Sequence, residues 1–296
     1  MPPLARRDVR NLVRKLHASA RPAQQKQALG MITGLSICGG DRDTLVAIAA
    51  AGAIPPLVQL LGAGSSADVQ ENAAAALHNL AHIAENQVAI AAAGAVPPLV
   101  LLLGPGSTAR VQENAAGALD NLARLAGNQV TIAASGAIPP LVQLLWTGSA
   151  AGVQRSAAGA LTCLARSPDN QVTIAAAGAI PRLVPLLGPG SVALVQEAAA
   201  GGLMNLARNA ENAVTIAAAG AIPSLVRLLR PGSDDLPKRY AAHTLNALVY
   251  HTAENRDAIA TAGASVGLDV LAVLAEMARL GTAGPAANAR LRGLSV

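Results

Sequence analysis

Two kinds of polar side chain recur in this sequence at intervals of 42 residues or twice that distance. The amides are Asn79, Asn121 and Asn205, with Asn72 and Asn114 seven residues before the first two, and the guanidinium groups are Arg124, Arg166 and Arg208. An amide can accept a hydrogen bond from one peptide N–H and donate one to a peptide C=O, whatever the sequence of that peptide. An arginine pairs with carboxylate or phosphate oxygens. Side chains of these types can pair with peptide groups and with anions, provided that the fold brings them to one face.

Catalytic and metal-binding patterns are missing from the same sequence. The five histidines form no HExxH motif, and neither Cys38 nor Cys163 has the spacing of a zinc ligand. No glycine-rich phosphate-binding motif follows a strand-like segment. Cys163 has no histidine near it in its repeat, so we expect an inert thiol. We therefore expect no enzyme activity, no cofactor and no small-molecule substrate.

The 42-residue interval also governs the apolar sequence. Close copies of the segment NQVAIAAAGAVPPLVLLL, residues 86–103, surround Gly52, Gly136, Gly178 and Gly220. A period in this range is typical of helical solenoids, whose units stack on their neighbours. Gly94 and the pair Pro97–Pro98 interrupt the apolar segment well before the ~20 residues that a membrane span needs. We therefore expect one elongated domain without a membrane span.

Each repeat is predicted to contain three helices. The first helix ends at a glycine such as Gly94, which can adopt the left-handed conformation past a helix end, and the prolines after it suit the first turn of the second helix. On the second helix, the other repeats have Gln, Pro or Arg at the position of Leu101, so this leucine is predicted to be exposed. The core face of the third helix is predicted to comprise Val69, Ala73, Ala76, Leu77 and Leu80.

The repeated unit resembles the armadillo repeat. The resemblance is carried by the glycine after the first helix, by AIPPLV in the second and by AA.AL.NLA in the third, and it covers residues 8–280. It implies an all-α, right-handed superhelical solenoid of about six armadillo units plus caps. Within the family, the sequence is most similar to the armadillo regions of plant-type U-box ubiquitin ligases and of vacuolar and junctional scaffolds such as β-catenin.

The resemblance also implies a binding site. In armadillo proteins the third helices line a concave groove, where an asparagine of the L.NL motif holds the backbone of an extended peptide. The resemblance places Asn79, Asn121 and Asn205 in this role, while Cys163 interrupts the row. Small residues such as Gly117 occupy the column in which nuclear import receptors of the family carry tryptophan, so an import-receptor function is not expected.

Helical spacing places five more polar residues on the same face of the third helices as these asparagines, and we call this face the stripe. The five residues are Asn72, Asn114, Arg124, Arg166 and Arg208. Two simpler explanations compete with partner binding. The helix dipole favours a basic residue in the last turn without any ligand, and an asparagine inside a helix can hydrogen-bond a neighbouring loop. Arginine is the only basic residue at the three equivalent positions, and asparagine, a weak helix former, recurs at its own positions. Both observations favour partner binding in the groove.

The net charge of +5 does not indicate nucleic-acid binding. Residues 1–26 hold seven of the 22 basic and one of the 17 acidic residues, which leaves the rest of the chain with a net charge of −1. A phosphate-binding surface would need a basic stripe along the solenoid, and an RNA-reading repeat would need many base-stacking aromatics. We expect a monomer that binds other proteins through their extended segments. The alternative is the substrate-recognition region of a U-box type ubiquitin ligase, or a relative of one, which lacks the catalytic U-box in the printed sequence.

We divide the chain into four parts, which are a basic segment with a partial capping repeat at 1–40, five repeats of about 42 residues at 41–250, a capping repeat at 251–280 and a disordered tail at 281–296. The basic amphipathic start has an alternative interpretation as an organelle transit sequence. Few cysteines and no secretory leader favour a reducing compartment, the cytoplasm or the nucleus. Pro2 replaces the glycine that N-myristoylation requires, so no lipid anchor is expected.

Overall fold

The chain is helical in the part that the structure describes. The structure is a computed structural model, and it describes residues 6–16, 22–38, 42–230, 232–251, 254–265 and 267. These residues form 18 α-helices and no β-strand. The predicted all-α class is therefore confirmed. The chain divides into two units, Met1–Leu144 and Leu145–Val296.

The first unit contains ten of the described helices. They are α1 (Arg6–Arg14), α2 (Pro22–Cys38), α3 (Arg42–Ala50), α4 (Ile54–Leu60), α5 (Ala67–Leu80), α6 (Ala84–Ala92), α7 (Val96–Leu101), α8 (Ala109–Ala123), α9 (Ala126–Ala134) and α10 (Ile138–Leu144). The groups α3 to α5 and α6 to α8 are complete three-helix repeats. Helices α2, α5 and α8 form a row in which each packs against the next.

The second unit contains the other eight described helices. They are α11 (Ala151–Leu164), α12 (Pro168–Ala176), α13 (Ala179–Leu186), α14 (Ala193–Leu206), α15 (Ala210–Ala218), α16 (Ala221–Leu228), α17 (Asp235–His251) and α18 (Glu254–Ser265). Here α11, α14 and α17 are the third helices of their repeats, and they also pack one against the next.

The turn between the first and second helices of a repeat depends on its glycine. Gly94 lies two residues after the end of α6 and has a φ of +76°, which a side chain would strain. The N–H of Gly94 donates to the carbonyl of Ala91 at 3.0 Å, and the N–H of Ala95 donates to that of Ile90 at 3.3 Å. These bonds pair the last carbonyls of α6. Pro97–Pro98 then lie in the first turn of α7, as predicted.

The core consists of small and branched aliphatic side chains, which allow neighbouring helices to approach closely. The predicted core residues of α5 that are fully buried are Ala73, Ala76, Leu77 and Leu80. Val69 is only half-buried, so the predicted core face was wrong at its N-terminal end. Leu101 is 79% exposed, which confirms the prediction from its column.

Buried amides satisfy the carbonyls at the ends of the third helices. Nδ2 of Asn86 donates to the carbonyl of Leu80 at 3.0 Å, and Nε2 of Gln87 donates to that of Ala81 at 2.9 Å. The Leu80 carbonyl also accepts the N–H of Ile83 at 3.2 Å, so the two amides add to the turn bonds that cap the end of α5. The same bonds recur at the ends of α8 and α11, from Asn128, Gln129, Asn170 and Gln171. The sequence analysis assigned this Asn-Gln pair no role.

At the N-terminal end, α1 buries the apolar residues Val9, Leu12 and Val13, and the turn after it buries Leu16. The limits of the four predicted parts remain predictions, and the part of the capping repeat from 268 to 280 and the whole tail at 281–296 lie outside the described residues. Among the described helices, none alone has the length and hydropathy to cross a bilayer, and only α3 and α4, bent by 81° at their junction, pass that test as a pair.

Candidate functional site

In the first unit, two asparagines of the predicted site bond the third helix that precedes their own. Nδ2 of Asn121 on α8 donates to the carbonyl of His78 on α5 at 3.0 Å. Nδ2 of Asn79 on α5 donates to Oγ of Ser36 on α2 at 3.1 Å. Asn121 is 2% exposed and Asn79 is half-buried. One N–H of each amide is therefore bonded inside the fold. Its acceptor lies on the preceding helix, whereas the explanation without a ligand assumed a bond to a neighbouring loop.

Asn205 repeats this arrangement in the second unit. Its Nδ2 on α14 donates to the carbonyl of Thr162 on α11 at 2.8 Å, and the residue is buried. In the described part of the chain, the Oδ1 atoms of these three asparagines accept no hydrogen bond, and none of them belongs to the fully buried unpaired atoms. Each amide is thus held through its N–H while its acceptor remains in contact with solvent.

Asn72 and Asn114, which lie two helical turns before Asn79 and Asn121, differ in their hydrogen bonds. Nδ2 of Asn72 donates to the carbonyl of Asp68 in its own helix at 2.8 Å. Asn114 is also half-buried, but its side chain makes no hydrogen bond to a described residue. Of this pair, Asn114 therefore has the whole amide available to a ligand.

The three predicted arginines lie at or just after the ends of third helices. Arg124 is the C-cap of α8, and Arg166 and Arg208 each follow the C-cap alanine of α11 and α14. All three are exposed, and none forms an ion pair with a described residue. The helix dipole favours a cation at each of these places. The guanidinium groups nevertheless remain available to an anionic partner.

Neighbouring side chains occupy the space above the small residues of the stripe. A Cβ added to Gly117 on α8 would lie 2.6 Å from Cε1 of His78 on α5. A Cβ on Gly201 would lie 3.3 Å from a methyl carbon of Thr162 and 3.4 Å from the ring of Tyr240. The glycines therefore serve close packing of one third helix on the next, and the row has no open trough at these two positions.

The first unit also contains a cluster of titratable side chains that the sequence did not predict. The rings of His78 and His82 have centroids 5.6 Å apart. Partial burial lowers the pKa of His82, the positive charge of Arg124 lowers it further, and the carboxylate of Asp120 opposes them. His82 therefore favours the neutral state beside the stripe. Among the described residues, no three His, Cys, Asp or Glu side chains are grouped closely enough to hold a metal ion.

Comparisons with known proteins agree with this architecture. The model of the armadillo/β-catenin-like repeat matches residues 42–82, 84–124 and 167–208. Among solved structures, computationally designed armadillo repeat proteins for modular peptide recognition are 30% identical, with 81% of this chain and 99% of theirs covered and a TM-score of 0.71. A designed armadillo repeat protein in complex with the peptide (KR)4 is 28% identical, with the same coverage of both chains and a TM-score of 0.70. An engineered protein is 33% identical, with 82% of this chain and 97% of its own covered and a TM-score of 0.73.

None of the curated proteins compared with the chain matches it. The particular similarity to U-box ligases and to vacuolar or junctional scaffolds remains a prediction. The repeat itself is shown by three independent features, which are the three-helix unit, the family model and the designed proteins that cover most of the chain. This chain belongs to the armadillo repeat family.

Proposed function

We propose that the chain is a scaffold that binds an extended segment of a partner protein along its third helices. The observation that carries the proposal is the shared state of Asn79, Asn121 and Asn205. Each has one N–H bonded to the preceding third helix and an Oδ1 that accepts nothing from a described residue. An oriented acceptor of this kind suits a peptide N–H, and it recurs at the period of the repeat.

The designed relatives support the same function. One group was made for modular peptide recognition, and another protein was solved with a bound peptide. Armadillo scaffolds are typically non-catalytic, which agrees with our expectation that the chain has no chemistry of its own. A monomer in the cytoplasm or nucleus, without small-molecule or nucleic-acid ligands, completes the proposal.

Binding through these amides would be tolerant of partner sequence. An amide that pairs with the peptide backbone contributes the same bond whichever side chain the peptide carries. Side-chain selection would then come from other residues of the stripe, including Arg124 in the first unit and Arg166 and Arg208 in the second. Arginine would favour carboxylate or phosphate on the partner.

The experiment is a titration with a peptide selected from a random display library on the full chain. Replacing Asn79 and Asn121 with Ala is expected to weaken that peptide by ~1 to 3 kcal/mol, since each site loses one hydrogen bond. Asn212→Ala is the matched control, because it also removes a buried amide that bonds a backbone carbonyl of the preceding repeat, but between two first helices of the second unit. Equal affinity of the double variant and the wild type, with circular dichroism showing both folded, would contradict the proposal.

A further inference from the structure

Two residues of the second unit differ from the residues that other repeats have at the same positions. Trp146, in the turn before α11, occupies a position at which three other repeats have glycine, namely Gly62, Gly104 and Gly188. Arg182, on α13, occupies a position at which three other repeats have proline, namely Pro56, Pro98 and Pro140. Tryptophan and arginine are both enriched among the residues that contribute most to protein interfaces.

The two side chains contact each other. Cζ of Arg182 lies over the indole ring of Trp146, 5.7 Å from the ring centroid. A guanidinium within about 6 Å of a ring centroid makes a cation–π interaction. Because the two residues belong to consecutive repeats, folding of the second unit brings them together. We call Trp146 and Arg182 the tryptophan–arginine pair.

The turn that contains Trp146 holds the indole in place. The carbonyl of Trp146 accepts the N–H of Ser149 at 2.9 Å and Nε2 of Gln154 at 2.8 Å. A Cβ added to Gly148 would lie 2.9 Å from Nε1 of the indole, so the ring packs directly on this glycine. Trp146 is nevertheless 62% exposed. The pair thus presents a fixed aromatic surface to solvent, and fixed side chains lose little entropy when a partner binds.

The polar atoms of the pair are all hydrogen-bond donors. Arg182 forms no ion pair or hydrogen bond with a described residue, and the Nε1–H group of Trp146 donates to none of them. A guanidinium and an indole have N–H groups and no acceptor. A partner must therefore supply acceptors, and a carboxylate forms strong charge-assisted bonds with a guanidinium.

The charged residues on the elements that adjoin this turn are mostly cations. Arg155 lies one turn into α11, which follows the turn. Nη2 of Arg227 on α16 lies 3.4 Å from the carbonyl of Leu187 at the end of α13. The acidic residue of this region is Glu197, one turn into α14, which packs against α13. Together with Arg182, three cations therefore face one anion.

The other acidic residues of the second unit do not reverse this sign. Asp234–Asp235, one repeat further along, occur together with Arg230 and Arg239. The remaining described acidic residues lie in the first turns of α12, α15 and α18. Those helices begin where a third helix ends, whereas Trp146 lies where α11 begins, and the 14 residues of α11 span about 21 Å. Charge complementarity therefore favours an acidic partner.

We propose that the tryptophan–arginine pair is a docking surface for an acidic segment of a partner protein. An aliphatic side chain of that segment covers the exposed indole, and a neighbouring carboxylate pairs with Arg182. A nucleic acid would require a continuous basic surface and several stacking aromatics, whereas this surface has one tryptophan. Neither residue of the pair lies on the stripe, so the inference adds a second contact surface and does not rest on the proposed function.

Trp146 is the only tryptophan of the chain, so its fluorescence reports on this surface directly. The peptides EELLEE, QQLLQQ and EEGGEE and the oligonucleotide (dT)8 are titrated separately into the full chain. EELLEE is expected to shift the emission of Trp146 to shorter wavelength, because it removes the indole from water. It should also bind at least about tenfold more tightly than the other three probes, because only this peptide combines aliphatic and acidic groups.

Variants of the two residues separate their contributions, and their affinities are measured by the fluorescence anisotropy of fluorescein-labelled EELLEE. Trp146→Gly, which restores the residue of other repeats, should weaken binding at least about tenfold. Arg182→Gln should also weaken binding, with a loss that shrinks as salt is raised. Arg14→Gln is the matched control, since it removes an exposed positive charge on α1 and should leave the affinity unchanged. Circular dichroism verifies that each variant is folded.

Several results would overturn the inference. Equal affinities for EELLEE and QQLLQQ would show that carboxylates are not recognised, and wild-type affinity of Trp146→Gly would place the contact elsewhere. Tighter binding of (dT)8 than of EELLEE, with a shift in the emission of Trp146, would assign the surface to nucleic acid. An emission spectrum that EELLEE leaves unchanged would also overturn the inference, while the proposed function would still depend on the asparagines of the stripe.

Discussion

The amide caps of the third helices should make a measurable contribution to stability. Asn128 and Gln129 are buried, and their side chains donate to the carbonyls of Leu122 and Ala123 at 3.0 and 2.9 Å. Replacing Asn128 with Ala removes this bond and leaves the Leu122 carbonyl only the N–H of Leu125, at 3.2 Å, so a loss of ~0.5 to 1.5 kcal/mol is expected. In a chain of this size, 1 kcal/mol shifts Tm by about 2 to 4 °C, so a fall of roughly 1 to 6 °C is expected.

Thermal unfolding followed by circular dichroism measures this fall, and hydrogen exchange locates it. Exchange should accelerate first in the last turn of α8 and the first turn of α9, because repeats are stabilised by their nearest neighbours. Val130→Ala is the control, since this neighbouring side chain is 67% exposed and buries little area. If Asn128→Ala and Val130→Ala melt alike, the amide bonds do not stabilise the repeat and the capping role is refuted.

Three further predictions concern the first unit. Gly117→Ala should displace the ring of His78, because the added Cβ would lie 2.6 Å from its Cε1, whereas Gly106→Ala, which meets no atom within 4 Å, should leave the ring in place; the NMR shifts of the His78 ring in both variants test this. Arg124→Gln should raise the pKa of His82 in an NMR titration, since it removes a nearby positive charge. Because its pKa is lowered, His82 binds a proton less readily in the folded chain than in the unfolded chain. The free energy of unfolding should therefore be higher above about pH 6.5 and should decrease as the pH falls below that value.

The sequence predicted the features that depend on local pattern. The helices could be placed from the period of 42 residues, the glycine at the end of the first helix and the prolines after it. Comparison of equivalent positions in the repeats predicted that Leu101 is exposed. The Asn-Gln pair carried a usable signal, because it recurs at the same place at residues 86, 128 and 170, although its carbonyl partners belong to the preceding helix.

Other features depend on how one repeat packs on the next, and no local pattern encodes them. The direction of the Asn121 amide follows from the carbonyl of His78, which lies 43 residues earlier. The role of Gly117 follows from the ring of the same histidine. The candidate residues of the stripe could therefore be predicted from the sequence, whereas the hydrogen bonds and burial of each side chain required the structure.

The most direct test of the peptide-binding account is an NMR measurement of the side-chain amides. The chain labelled with ¹⁵N is titrated with the peptide selected from the display library, and the NH₂ resonances of the stripe and cap asparagines are followed. The account predicts that the signals of Asn79 and Asn121 shift with the peptide concentration, because their open Oδ1 atoms accept its N–H groups. Asn86 and Asn128, which belong to first helices and are buried, should keep their positions. Shifts confined to the cap asparagines, or to residues outside the third helices, would contradict it.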